Sequence, residues 1–368
     1  MRKASVIFLT ALSLLLPATP TQALGSLDEY LRASALAAPG ALIIDPRDGK
    51  ILAERDADSL RIPASVLKLL SVTTALQVLG PEKEFSTSIW STTKSNSFVL
   101  IGQMDPWLTS NLSLAKKNKQ RYLPTLFSKA NPKKIKYITV FYSGLYGKDL
   151  KDLALHLRKQ KIYVKAVPLA MSDAQLKTKS KIAEFTSEPM TTMVSFAVLW
   201  SDNQLADRLA KAAAKKVGNL ISPEGLTKTF VSTLASLDIP TPGLYVEDGS
   251  GLSKANRVSP RTVVSLLSKI RNNPNFQSIY DGLPVGGVSG TLANRFTTAP
   301  QAIGHVHAKT GFLSSVVSMA GYVDDGQNEY VFVIIVDGIR PRLSARKAAR
   351  EVMDQMLESI VKGNQQTP

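Results

Sequence analysis

Apolar and polar positions change period several times along this 368-residue chain, and each change marks an element. Ala41 to Asp45 and Lys50 to Glu54 flank Pro46-Arg47-Asp48-Gly49, whose Asp-Gly end predicts a β-hairpin. Pro63 precedes a run from Ala64 to Leu79 in which Val66, Leu67, Leu69, Leu70 and Val72 predict a largely buried helix stopping at Gly80-Pro81, with Ser65 in its first turn. From about Ser86 to Pro189 the character shifts. Strand-like pieces (Phe98 to Ile101, Tyr137 to Tyr142, Tyr163 to Val167) alternate with Lys-rich loops and one helical stretch, Lys148 to Lys159. Helical periodicity returns over Thr191 to Val217, interrupted at Ser201-Asp202-Asn203, and continues in Pro223 to Leu237 and Pro260 to Arg271. Ile303 to Phe312, Val316 to Val323 and Glu329 to Val336 predict an antiparallel meander, closed by an amphipathic helix over Ser344 to Lys362.

A hairpin at one end, a meander at the other and helices between predict an α/β (α+β) fold. Its five-stranded antiparallel sheet pairs N-terminal with C-terminal strands and is covered by helices. The catalytic unit is expected at 24–85 and 190–368, with a smaller inserted α/β domain at 86–189. Hydrophobic content of 44% and charged content of 20% are those of a globular chain. Met1-Arg2-Lys3, the apolar run Val6 to Leu16 and the small, polar Pro17 to Ala23 follow the plan of a secretory leader, with cleavage expected after Ala23. Export follows, to a periplasm or extracellular wall space. No later apolar run reaches the roughly 20 residues of a spanning helix. The absence of cysteine excludes disulfides, thiol catalysis and cysteine metal sites.

Charge is placed unevenly. The formal balance is +16, but Thr93 to Ile182 alone holds 18 Lys/Arg against 4 Asp/Glu, whereas the remainder of the chain past Ala23 is neutral. Such a segment attracts polyanions. For an exported chain the expected partners are anionic wall polymers rather than nucleic acid.

Ser-x-x-Lys occurs at Ser65, Ser91, Ser113, Ser344 and Ser359, so the pattern alone selects nothing. Context favours Ser65, which opens a buried apolar helix with Lys68 on the same face one turn on. A buried ammonium is costly, so Lys68 pairs with an anion or titrates low, and a neutral amine beside a hydroxyl is a base. Ser201-Asp202-Asn203 and Lys309-Thr310-Gly311 each occur once, in that order, between helices and on a C-terminal strand. The set Ser-x-x-Lys, Ser-x-Asn, Lys-Thr-Gly meets the needs of acyl transfer: Ser65 as nucleophile, Lys68 as base, Ser201 as proton relay, Asn203 to hold the peptide backbone and Lys68, and Lys309 for positive potential. Thr310 offers a hydroxyl to a carboxylate and Gly311 lets substrate lie flat. The N–H groups of Ser65 and Phe312 would form an oxyanion hole. His305 and His307, two apart on a strand, suggest a metal pair but lack a third ligand, and no metal or cofactor is expected. Asp248-Gly249-Ser250-Gly251 reads, on its own, as a turn.

With these motifs in place the chain resembles the class C low-molecular-mass penicillin-binding proteins, the D-alanyl-D-alanine carboxypeptidase/endopeptidase family. Leu42 to Leu70, Gly102 to Leu108, Asp248 to Ser253 with Val258-Ser259-Pro260, Leu283 to Leu292, and Ala308 to Gly311 leading to Met319-Ala320-Gly321-Tyr322 carry the resemblance. It implies removal of the terminal D-Ala of peptidoglycan stem peptides, acylation by β-lactam antibiotics, and cleavage of peptide cross-links as a further activity. Three positions depart from the family pattern. The interval from Ser65 to Ser201 is short, Phe312 stands where a small hydroxyl residue commonly follows Lys-Thr-Gly, and Ser289 stands where Asp is frequent. A serine β-lactamase or esterase would share the acylation chemistry but needs a deacylation base, which the sequence does not identify. A wall-binding scaffold would instead work through the basic segment.

Overall fold

The computed structural model describes residues 21–363. The leader expected over 1–23 lies, except for its last three positions, outside the described residues. A helix α1 (Thr21–Arg32) leads to strands β1 (Gly40–Ile44) and β2 (Ile51–Arg55), joined by the turn at Asp45 to Lys50, and then to helix α2 (Leu67–Leu79). Strands β3 (Ser86–Ser91) and β4 (Ser97–Gly102), helices α3 (Leu112–Asn118) and α4 (Pro124–Ala130), β5 (Tyr137–Ser143), α5 (Gly147–Arg158), β6 (Tyr163–Pro168), α6 (Met171–Leu176) and β7 (Lys181–Thr186) follow. The chain continues through α7 (Met190–Leu199), α8 (Asn203–Lys216), α9 (Pro223–Ala235), α10 (Pro260–Arg271) and α11 (Gln277–Asp281). It ends with β8 (Val306–Leu313), β9 (Val316–Asp324), β10 (Glu329–Val336) and α12 (Leu343–Gly363).

The first sheet has the order β2-β1-β10-β9-β8, all antiparallel, so the N-terminal hairpin docks on the C-terminal meander through β1 and β10. Alternation along these strands feeds two cores. Leu42, Ala320, Tyr322, Val331, Val333 and Ile335 face α2, α7 and α10, while Ile43, Met319, Val323, Phe332 and Ile334 face α1 and α12. Apolar burial on both faces, at about 25 cal/mol per Å², stabilises this sheet against the helices on either side. β8 is its edge.

The second sheet, β6-β5-β4-β3-β7, comes entirely from residues 86–186. β4, β5 and β6 are parallel and need helical crossovers, α3 with α4 and then α5; β3 pairs antiparallel with both β4 and β7. Its core of Ile89, Leu100, Leu123, Phe127, Val140 and Leu153 is separate from the other two. Three expectations change here. The segment holds four helices rather than one, and β3 and β7 belong to the sheet although neither carries a strong apolar alternation. Ser65 sits not in α2 itself but in a 3₁₀ turn, Ala64–Val66, just ahead of it. The first meander strand begins at Val306 rather than Ile303, because Gly304 turns the chain at φ 85°. Among the described residues no helix is long and apolar enough to cross a membrane.

Candidate active site

Four elements converge on the 3₁₀ turn that carries Ser65. Pro63 limits the backbone entering it, and Ala64 is held at φ 49°, a left-handed conformation that costs a non-glycine residue about 1 kcal/mol or more. Surrounding contacts over-determine it. Ser318 on β9 donates its hydroxyl to the Pro63 carbonyl at 2.7 Å, and Asp337 accepts from the Ile62 N–H at 3.0 Å while pairing with Arg61 at 3.2 Å. Gly251 and Gly311 press from opposite sides. A Cβ on Gly251 would lie 2.0 Å from the Ala64 carbonyl oxygen, and one on Gly311 would lie 2.1 Å from Ser318 Oγ and 2.8 Å from the Pro63 carbonyl oxygen. Neither site tolerates a side chain without backbone movement.

Lys68, the second residue of α2 and three beyond Ser65, is fully buried. Its Nζ lies 2.8 Å from Ser65 Oγ, 2.7 Å from Asn203 Oδ1 and 2.6 Å from the carbonyl oxygen of Ser250. Burial lowers its pKa to about 8, with Asp248 and Asp202 opposing the shift. A neutral amine has two N–H groups and one lone pair. With Asn203 and Ser250 accepting the two protons, the lone pair is left for the Ser65 hydroxyl.

Asn203 is the first residue of α8, and Asp202 caps that helix by accepting from the Leu205 N–H at 2.8 Å. Ser201 precedes it at φ 57°, in the connection between α7 and α8. α8 is also tied to the second sheet's unit. Arg208 donates to Asp149 at 2.8 Å and stacks on Tyr146 at 3.9 Å, in a buried cluster where Asp105 is pushed up to about 7 by desolvation. The unit built on residues 86–186 thereby braces the helix that presents Asn203.

Lys309, Thr310, Gly311 and Phe312 lie on the edge strand β8. Lys309 is completely buried and donates to the Thr310 carbonyl at 2.9 Å; burial and the neighbouring Lys68 hold its amine well below the ordinary lysine range. It has no direct bond to Ser65 among the described residues. Thr310 Oγ1 is 2.8 Å from Thr291 Oγ1, so its hydroxyl has a partner on the facing loop. The Ala308 N–H points away from β9, to the Pro284 carbonyl at 2.9 Å. By the two-residue alternation of a strand, the Thr310 and Phe312 N–H groups face the same open edge. The Phe312 ring points elsewhere, to α12, where Arg346 and Arg350 stack on it at 4.4 and 4.1 Å. His305 pairs with Asp324 at 2.8 Å and His307 stacks on Tyr280, so neither histidine reaches this site.

Sequence reasoning under-read one segment. Asp248 to Gly251, taken alone as a turn, supplies the Ser250 carbonyl that receives Lys68. Asp248 fixes that loop by accepting from the N–H groups of Ser250, Gly251 and Ser253, each at 2.7 Å, and from the Ser250 hydroxyl at 2.6 Å. The density of Asp, Ser and Gly there is the signature of an Asx turn and was the available signal.

The model of the D-Ala-D-Ala carboxypeptidase 3 (S13) family matches residues 23–121 and 126–360. A D-alanyl-D-alanine carboxypeptidase from Actinomadura sp. (strain R39) is 33% identical over 177 residues, 47% of this chain and 32% of that protein. Another from Haemophilus influenzae is 32% identical over 160 residues, 43% of this chain and 33% of that protein. The matched stretches thus span about a third of the length of these relatives. Among solved structures, penicillin-binding protein 4 from Haemophilus influenzae superposes with a TM-score of 0.71 at 19% identity, covering 91% of this chain and 98% of that one. A penicillin G-acylated predatory endopeptidase from Bdellovibrio bacteriovorus superposes at 0.60 and 17% identity, covering 87% and 90%. These two likenesses speak to the fold.

Proposed function

This chain belongs to the D-Ala-D-Ala carboxypeptidase 3 (S13) family, and we propose that it hydrolyses the terminal D-alanyl-D-alanine bond of peptidoglycan stem peptides through an acyl-enzyme on Ser65. The observation that carries this reading is the Lys68 amine, desolvated and bonded at once to Ser65, Asn203 and the Ser250 carbonyl. The reaction runs in two stages. Lys68 takes the Ser65 proton as Oγ attacks the penultimate carbonyl carbon, and the developing oxyanion is met by the N–H groups of Ser65 and Phe312. The C–N bond then breaks and the proton passes through Ser201 to the leaving amine of D-alanine. In the second stage Lys68 takes a proton from a water whose oxygen attacks the acyl carbon; the ester C–O bond to Ser65 breaks, the carboxylate product leaves, and Lys68 returns the proton to Ser65 Oγ. Thr310 offers its hydroxyl to the substrate's terminal carboxylate, and the buried Lys309 behind it supplies positive potential, its protonated form favoured by that charge. A β-lactam follows the first stage, and its acyl group stays on Ser65.

Incubation with benzylpenicillin followed by peptide mapping is expected to give one covalent adduct, on the peptide containing Ser65. Rapid hydrolysis with no stable adduct would instead assign a β-lactamase. Cross-link cleavage uses the same bond chemistry and is tested on dimeric stem peptides in the same assay.

We also infer that the unit at 86–189 is a basic domain that holds the exported enzyme against anionic wall polymer. Supporting this, two of the four carboxylates between Thr93 and Ile182, Asp105 and Asp149, are buried, so the exposed surface is more one-signed than the sequence count. Replacing Lys116, Lys117, Lys133 and Lys134 with glutamine is expected to lower co-sedimentation with isolated walls severalfold at low salt and little at high salt. Unchanged sedimentation at low salt would end this idea.

A further inference from the structure

The two faces of the second sheet are unequally covered. Phe98 and Leu100 of β4 and Ile138 and Val140 of β5 bury into the core beneath α4 and α5. Strand alternation sends Tyr137, Thr139 and Phe141 to the opposite face, and the parallel register sets Tyr163, Lys165 and Val167 of β6 beside them. Near the C-terminal ends of β4 and β5 the short α6 packs, and Lys177, just past it, lies 5.0 Å from the centre of the Phe141 ring. At the N-terminal ends the face is open: Tyr137 is 70% and Tyr163 45% exposed. Their rings stack on one another, centroids 5.3 Å apart and planes inclined by 16°. Each ring thus keeps one face against its neighbour and one in water. On the β4 side the register brings only Ser97, opposite Thr139, and the Ser95-Asn96 turn precedes it, so nothing large stands over Tyr137. Neither tyrosine belongs to the core of this unit. A single exposed aromatic is ordinary; two held nearly parallel on neighbouring strands form a platform.

We propose that this tyrosine pair binds the glycan of peptidoglycan, the polymer of N-acetylated sugars that carries the stem peptides. The proposal rests on the stem-peptide reading. A pyranose ring presents a face of C–H bonds, which packs on the negative face of an aromatic ring, while its hydroxyl and acetamido groups require donors and acceptors at the rim. The two phenol hydroxyls, with Thr139 and Lys165 next along the same strands and on the same face, supply both. Lys136 and Lys161, exposed beside the pair, add the positive potential that draws a wall polymer in. β5 runs roughly 20 Å from Tyr137 to Ser143, and the chain beyond it reaches Tyr146 and the contact with α8. The platform therefore lies at the other end of the strand from that contact, where a grip on glycan leaves the cleft at Ser65 open to peptide. Stacking on a neutral sugar also differs from attraction by charge in that salt does not screen it.

Two measurements test this, both on the full chain with chitohexaose, a hexamer of N-acetylglucosamine that offers the lysines no charge. In the first, saturation-transfer NMR follows the sugar at about 1 M salt, where the Debye length is about 3 Å. Saturable binding is expected. Tyr137→Ala/Tyr163→Ala should weaken it about tenfold or more, and Tyr137→Phe/Tyr163→Phe, which keeps both rings, much less. Thermal unfolding of both variants should stay close to that of the parent, because the rings lie outside the core. No binding, or equal affinity in the wild type and the alanine variant, overturns the inference. So does a tighter, tyrosine-dependent grip on oligothymidylate than on chitohexaose, which would make the platform a nucleic-acid surface. The second measurement needs no variant. Tetranitromethane nitrates exposed tyrosines, and saturating chitohexaose is expected to shield Tyr137 and Tyr163 on peptide maps while leaving Tyr245, also exposed, as reactive as before. Unchanged nitration of the pair overturns the inference. The stem-peptide reading fails separately, by absence of a benzylpenicillin adduct on Ser65 in the wild type, and the charge-based anchor by unchanged sedimentation of the lysine variant at low salt.

Discussion

Ser65→Ala abolishes covalent capture of benzylpenicillin and lowers hydrolysis of a D-alanyl-D-alanine peptide by on the order of 10⁴-fold or more. The size follows from what remains when the hydroxyl is gone. Lys68, Asn203 and the β8 edge still bind substrate, but no atom is placed to form the ester, and oxyanion stabilisation alone is left. The fold should survive, because the strained turn is held by Ser318, Asp337, Gly251 and Gly311 rather than by the Ser65 side chain. Thermal unfolding of the variant close to that of the parent, together with complete loss of labelling by a fluorescent penicillin, is the expected pair of results. An adduct that persists in the variant would move the nucleophile to another serine, and peptide mapping would identify it.

Lys68 governs the second large effect. With its pKa lowered to about 8, the amine is mostly protonated at pH 6 and mostly free at pH 9. Only the free form can take the Ser65 proton, so kcat/KM rises about tenfold per pH unit below 8 and levels above it. Lys68→Ala removes that limb and lowers the plateau by roughly 10²–10⁴-fold. Stability follows the same group with its own sign. The unfolded lysine holds its proton up to 10.5, whereas the folded one releases it near 8, so between these values the unfolded state binds more protons. Stability therefore rises with pH across that window and ceases to change above it. A pH–rate profile flat between 6 and 9 would remove Lys68 from the base role.

Much of the architecture could be read along the chain because its signals are local. Asp48-Gly49 and the apolar runs on either side specify the first hairpin, and Val316 to Val336 reads as two strands about a Gly turn. Pro260 and Ser259 mark the start of α10, where Ser259 caps the helix by accepting from the Thr262 N–H. The unit at 86–186 was harder. α3, α4 and α6 have seven, seven and six residues, too few for a 3.6-residue period to show. β3 and β7, Ser-Thr-Ser-Ile-Trp-Ser and Lys-Ile-Ala-Glu-Phe-Thr, find their pattern only by pairing with each other across the whole unit.

The site divides along the same line. Motif order singled out Ser65 from five equal matches, and each of Ser201, Asn203, Lys309, Thr310, Gly311 and Phe312 was located from its own short string. What those strings lack is distance and dielectric. That Lys68 is fully buried and shares its nitrogen with Asn203 and with the Ser250 carbonyl depends on α8 and the Asp248 loop, 135 and 182 residues away. That Phe312 sends its N–H to an open edge and its ring into a cluster of arginines depends on β8 being the last strand of its sheet and on α12 packing across it. Periodicity and turn chemistry act between neighbours, so the sequence by itself determined the elements and the chemical identities they present. Desolvation, lone-pair direction and the exposure of a strand edge are properties of what packs around a group, and only the tertiary structure decided them.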